Sequence, residues 1–400
     1  MNINRMVLGW LIAVSAGGTA LAQENTFYGT GALPANTGSQ NSAFGFDALN
    51  VNSSGFDNTA VGAATLKANT TGEENTAVGD AALSANTTGF FNTAIGNEAM
   101  QFNSSGYENT ATGYDSLVSN TGGLYNSAFG GSALFENTTG QSNSAVGVNA
   151  LTSNTTGSFN TAAGAGALGD NTTGKNNNAF GGSSLIKNKT GNFNQALGSQ
   201  ALFSNTTGSN NIGIGYQGGY FPKTGSNNIE IGATGAVADN GVIRVGTQGT
   251  QHATYLSGIR GVNVTGGQAV MVTASGQLGV VASSQRYKED IHSMGDRSDR
   301  LLQLRPVTFR YKQADESGQK PEQYGLIAEE VARVMPELVI YNDRGQPESV
   351  AYQALAPLLL NELQRERGQL SSTRAELEAL RAEVDQLRRQ AAQRTTVAAQ

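Results

Sequence analysis

The sequence predicts a mainly β chain: a β-solenoid or β-roll stalk built from 17-residue repeats, then a compositionally distinct C-terminal region that ends in a coiled coil. Three observations predict it. Asparagine recurs every 17 residues from Asn41 to Asn228. Charge is partitioned: residues 24–282 hold 20 charged side chains, 7 basic and 13 acidic, while residues 283–400 hold 35. Leucines beyond residue 356 fall at heptad spacing.

Composition excludes several function classes. Glycine supplies 52 of 400 positions and there is no cysteine. A disulfide scaffold, a thiolate zinc site and a cysteine nucleophile are therefore ruled out. His252 and His292 are the only histidines, which leaves little room for a Ser-His-Asp triad. The net charge of −6 does not suit a nucleic-acid partner. Carboxylates such as Asp47, Asp80, Glu98 and Asp115 lack the paired spacing of a calcium site, and no metal or cofactor is expected.

Residues 1–22 read as a secretory signal peptide. Arg5 provides the positive start, Met6 to Ala16 is apolar, and Ala20-Leu21-Ala22 fits the cleavage signature. The mature chain is expected to be secreted or at the cell surface, with no membrane span after signal removal. The apolar stretch is short for a bilayer helix.

The repeat, across 28–235, reads N-T/S-A-φ-G-x-x-A-L-x-x-N-T-T-G-x-x. Seventeen residues are too few for a helix pair and suit one solenoid coil. The Asn-Thr-Ala-φ-Gly run reads as one strand and the Ala-Leu pair as the start of a second. Asn-Thr-Thr-Gly supplies turn chemistry. Stacking sets like above like, so the columns Phe44, Val61, Val78, Ile95 and Leu49, Leu66, Leu83, Met100 are expected as ladders inside the roll. The recurrent Asn-Thr-Thr triplets match glycosylation sequons, but the turn alone accounts for them. One thin roll buries little core, and association of three chains is its natural remedy. Asn58-Thr59-Ala60-Val61-Gly62 and its relatives resemble the head repeats of trimeric autotransporter adhesins. In that family such coils stack as a left-handed β-roll in a trimer.

Residues 236–282 read as a β-rich neck, with short runs at 242–246, 253–256, 269–272 and 278–281. Next come Ser283-Ser284-Gln285-Arg286-Tyr287-Lys288, Leu301 to Tyr311, Tyr324-Gly325-Leu326-Ile327-Ala328-Glu329-Glu330-Val331, Met335 to Val339, and Val350 to Leu355. In order and spacing this set, over 283–365, resembles the endosialidase-type C-terminal intramolecular chaperone of phage tailspikes and tail fibres. The resemblance implies an α+β domain with a serine–lysine dyad in the pattern S-D-x-R-x-K. It makes Ser283 the nucleophile and Lys288 the base, and it places the cut at Ala282–Ser283. Ser284 stands where that family has aspartate, and Glu329 where it has glutamine.

The chemistry also stands on residue types. A serine hydroxyl needs a base to become a nucleophile, and a lysine neutralised by desolvation can serve. A spacing of five does not put two side chains on one helix face, so an extended-to-turn segment or a trimer interface must bring them together.

From about 356 to 390, Leu363, Leu370, Leu377 and Val384 occupy a positions, with Leu359, Leu380 and Leu387 at d. Residues 391–400 read as a disordered tail. The whole is expected to be a secreted, homotrimeric, adhesin-like fibrous protein whose chaperone directs assembly and then releases itself by autoproteolysis. A host surface or glycan receptor would be its external partner. The alternatives are a tail-fibre-like protein that binds or depolymerises polysaccharide, or a rod whose chaperone does not cleave.

Overall fold

The computed structural model describes residues 24–397 apart from 35, 260–263, 316 and 343, with side chains up to residue 391. The signal-peptide reading of residues 1–22 lies outside the described residues. Two compact units divide the chain. The first runs to Gly267 and takes in Val272–Leu278; the second comprises Gln268–Met271 and the chain from Gly279 onward.

In the first unit, fourteen three-residue strands, β1 (Thr26–Tyr28) through β14 (Ile243–Val245), form one parallel sheet in strict sequence order. Each strand pairs with the equivalent residues of the next coil, as Thr59, Ala60 and Val61 do with Thr76, Ala77 and Val78. At one strand spacing per coil, thirteen coils advance about 60 Å. The solenoid thus exceeds the 28–235 read from the repeat. Ile243–Val245, assigned to the neck, is its last rung. The rest of the neck holds only two described two-residue strands, β15 (Met271–Val272) and β16 (Leu278–Gly279). Residues 253–256 form no strand.

Two details of the coil differ from the sequence reading. The Ala-Leu segment is not a second strand. Its backbone alternates in handedness, with Ala64 at φ 53° and Leu66 at φ 50°. It still forms an inter-coil ladder: Leu66 N–H donates to the Ala82 carbonyl at 3.0 Å and Ala68 N–H to that of Ser84 at 2.9 Å. A left-handed residue costs about 1–2 kcal/mol, and burying a leucine returns about 1.5–3 kcal/mol. The second difference concerns the column Phe44, Val61, Ile95, Phe129, which points outward, between 39 and 43 % exposed. Side chains alternate along a strand. Because Asn58 and Ala60 both face inward, Val61 must face out.

The interior is made of small and polar residues. The alanine column from Ala43 to Ala196 and the leucine column from Leu49 to Leu202 form one core cluster. Beside them run two columns of buried asparagine. Asn75 Nδ2 donates to Asn58 Oδ1 at 3.0 Å and to the Gly89 carbonyl at 2.9 Å, and its backbone N–H donates to Asn58 Oδ1 at 3.1 Å. Asn86 Nδ2 donates to Asn69 Oδ1 at 2.8 Å and to the same Gly89 carbonyl at 3.0 Å. Every coil through the middle of the stack repeats this. Gly89 is required by crowding: a Cβ there would lie 2.3 Å from Asn86 Oδ1 and 2.4 Å from the Gly106 carbonyl oxygen. Asn69, the asparagine of a sequon, is fully buried in its ladder.

The alanine column ends in a charge. Glu230 occupies that column on the penultimate strand, paired in register with Gly213 and Arg244. It is fully buried, and neither carboxylate oxygen has a hydrogen bond. Arg244 gives its Nε and Nη2 to Asp239 at 2.9 and 2.7 Å, leaving Glu230 Oε1 3.7 Å from Nε. Burial first, then the charge of Asp239, pushes the Glu230 carboxyl up to about 7.

In the second unit β17 (Val307–Phe309) pairs antiparallel with β18 (Gln323–Gly325), and β19 (Val339–Tyr341) with β20 (Pro347–Val350). Between the hairpins lies α1 (Ala328–Val334), with Glu329 and Glu330 at its positive end and Arg333 in its last turn. Pro336 follows the helix and bars its continuation. Leu301, Val331, Met335, Leu338 and Val350 are the buried core. Helix α2 (Tyr352–Val397) starts before the expected 356 and runs through most of the stretch read as a tail, so 391–397 is helical. Its leucine seam is bare in the single chain, Leu363 being 62 % exposed. Among the described residues no helix is long and apolar enough to cross a membrane.

Two outcomes are expected. Asn103→Ala strips buried partners from Asn86 Oδ1 and Asn120 Nδ2 and should cost about 3–5 kcal/mol in chemical denaturation, against under about 0.5 kcal/mol for Asn97→Ala. For Glu230, a folded-state pKa above the unfolded one means the native state binds more protons. Its stabilising contribution is full below the ordinary glutamate range and is lost as pH rises through about 7. Melting of wild type relative to Glu230→Ala should therefore drop between pH 5 and pH 8, the variant being the more stable at pH 8.

Candidate functional site

The segment before the C-terminal unit's core is irregular and exposed at Ala282 and Ser283. A single 3-10 turn, Gln285–Tyr287, follows. Ser284 caps it: its backbone is extended, and its Oγ accepts from the Arg286 N–H at 3.4 Å and from Arg286 Nε at 3.3 Å. The Tyr287 N–H donates to the Ser284 carbonyl at 3.0 Å, and the Lys288 N–H to that of Gln285 at 3.1 Å. The chain then leaves the turn extended at Lys288.

This one turn brings the two expected dyad residues together. Lys288 Nζ donates to Ser283 Oγ at 3.0 Å. A helix would have separated residues five apart, whereas a short turn between extended flanks folds the lysine back over the serine. Both side chains are exposed in the single chain. A lysine acts as a base only as the neutral amine, and burial favours that form. The geometry of the pair is thus in place, while its desolvation must come from outside this chain segment.

Ser284 has a role that the motif comparison alone did not reveal. Serine and aspartate are comparable N-caps, and Ser284 holds the turn that an aspartate would hold. The signal was available in the capping preference. Glu329, the other departure, lies exposed in the first turn of α1, where a negative charge suits the helix dipole.

The core of the C-terminal unit is framed by polar contacts to α1 and α2. Ser298, fully buried, donates from Oγ to Glu362 Oε2 at 2.8 Å and accepts from Asn361 Nδ2 at 2.7 Å. Arg365 pairs with Asp299. Arg305 meets Glu330 through two hydrogen bonds. Tyr352 Oη accepts from the Leu326 N–H at 2.9 Å. Beside them lies an open apolar cleft of about 490 Å³, lined by Leu301, Leu304, Pro306, Val307, Leu355 and Leu359 among others. Among the described residues no cluster of three or more metal-ligating side chains occurs.

No curated protein matches the chain. Residues 283–340 match the family model for the chaperone of endosialidase. The match begins at Ser283 and ends within β19, so that Ser283, Lys288, the first hairpin and α1 lie inside it. Downstream of its thirteen-coil β-solenoid, the chain therefore carries a domain of the endosialidase chaperone family.

Proposed function

We propose that this is a secreted, homotrimeric fibrous surface protein of adhesin type. Its C-terminal domain registers three chains and then cuts itself off between Ala282 and Ser283. The observation that carries the proposal is the 3.0 Å contact of Lys288 Nζ with Ser283 Oγ at the first residue of the chaperone match.

The nucleophile adjoins the bond it breaks, and this fixes the route. Ser283 Oγ attacks the Ala282 carbonyl carbon through a five-membered ring while Lys288, as neutral amine, takes the Oγ proton. The proton passes to the Ser283 nitrogen as the C–N bond breaks. The product is an ester of Ala282 on Ser283 Oγ with a free Ser283 amine. Water then hydrolyses the ester, regenerating the serine and completing the cut. The contact seen in the single chain has the lysine as donor. Catalysis needs the opposite polarity, Oγ–H to neutral Nζ, which burial between subunits would favour. Cleavage is in this way conditional on assembly.

Three apolar surfaces support the trimer. The α2 seam is exposed at heptad spacing from Leu359 to Leu387. The cleft beside it shares Leu359. The outward column Phe44, Val61, Ile95, Phe129 runs the length of the solenoid. Registration is needed because identical coils slide on one another at little cost in contact.

Sedimentation of the Ser283→Ala chain should give a trimer, and a stable monomer would refute the architecture. Intact mass of wild type should show a released fragment of residues 283–400, absent from Ser283→Ala and Lys288→Ala. Hydroxylamine should accelerate release, since it traps the ester. A wild-type trimer that stays intact would leave the domain as a chaperone without peptidase action.

A further inference from the structure

The last residue of each coil forms an outward column whose members share one backbone conformation, φ between 52 and 60° from Asp57 to Asn227. With the backbone fixed, every side chain in the column leaves the coil in the same direction. Its occupants alternate. Phe91, Tyr125, Phe159 and Phe193 stand on every second coil, 34 residues apart. Glu108, Ser142 and Asn176 fill the coils between.

Neither the backbone nor the core calls for these rings. Asparagine tolerates the left-handed region and a bulky ring does not favour it; Asn210 and Asn227 show the ordinary choice. The rings are 45, 47, 58 and 56 % exposed, so burial does not retain them. Phe91 and Tyr125 are held edge-on by Phe90 and Tyr107, with centroids 5.3 and 5.6 Å apart. Their orientation is set before any ligand arrives.

We propose that this row binds an extended, uncharged β-linked polysaccharide. Two coils advance about 9.6 Å, which matches the repeat of two pyranose rings in an extended chain whose successive rings turn over. Every second sugar would then set its apolar C–H face on an aromatic ring. The intervening Glu108, Ser142 and Asn176 meet hydroxyl groups. Charge selects among glycans: with 7 basic and 13 acidic side chains over 24–282, the solenoid repels a polyanion. The inference rests on the solenoid alone, independent of cleavage and trimerisation.

Affinity electrophoresis of the full chain tests it, in gels containing hydroxyethylcellulose, xylan or mannan, with alginate as the charged comparison. Retardation is expected in at least one neutral gel and not in alginate. The double variant Phe159→Ser, Phe193→Ser should bind about tenfold more weakly or worse, with sedimentation and circular dichroism unchanged. Period is tested by whole-coil deletions. Removing 126–142 keeps all four rings but sets Tyr125 beside Phe159; removing 126–159 keeps three rings in phase. The second deletion should bind more tightly than the first. No retardation in any neutral gel, stronger retardation in alginate, or equal binding by the two deletions would overturn the proposal. A double variant that changes oligomeric state would make the row a subunit interface and overturn it likewise.

Discussion

In every coil from Gly38 to Gly208 one glycine carbonyl receives two asparagine amides, and the solenoid depends on that meeting point. The carbonyl of Gly89 takes Asn75 Nδ2 from the start of its coil and Asn86 Nδ2 from the last turn. The two amides close the coil on itself. Their remaining valences run up and down the stack, Asn to Asn, so that closure and stacking are one network. A buried amide without partners is costly, which makes the network self-enforcing: a coil missing one asparagine strands the amides above and below. It also sets the crowding that excludes a Cβ at the glycine. The apolar core is a thin supplement of alanine and one leucine per coil.

Because the interior fixes the coil, the exterior is free. The outward column from Asp57 to Asn227 carries aspartate, glutamate, phenylalanine, tyrosine, serine or asparagine without altering the backbone. That freedom separates the two halves of the molecule physically. The repeat unit encodes geometry by repetition and therefore cannot encode a unique register between chains. The C-terminal unit has no repetition, a small core around Val331 and Met335, and polar ties such as Ser298 to Glu362. Each of its contacts is made once, which is what a register mark requires.

The period, the strand at Asn-Thr-Ala-φ-Gly and the junction near residue 283 were legible because each leaves a signature in residue type at fixed spacing. The pairing of Ser283 with Lys288 was legible through its motif, and the turn that joins them is one of the two routes expected, an extended-to-turn segment or a trimer interface. Two features were not. Hydrophobicity alone puts Val61 inside, but strand alternation with the buried Asn58 and Ala60 puts it out; the asparagine ladder was the deciding fact, and asparagine reads as a turn former. The Ala-Leu segment reads as strand because leucine rarely adopts positive φ, and it is burial of the leucine together with the stack's hydrogen bonds that stabilises it there. Glu230 carried a visible signal, a lone carboxylate in an alanine column, whose meaning depends on burial. The aromatic alternation was present in the sequence at a period of two coils, twice the one that organises the fold.

Joining a self-enforcing rod to a separable register mark has a kinetic consequence. Once three rods are aligned, unfolding any one of them must break its buried amide ladders coil by coil. If the register mark is then removed, refolding loses the element that chose the alignment, while the aligned rods keep every contact they had. The barrier to unfolding stays and the route back is gone, so persistence becomes a matter of rate and not of equilibrium. On the proposed reading of a fibre displayed outside the cell, where nothing refolds it, that ordering of events would be the physical reason for a single-use cutting site between the repeats and the domain proposed to align them.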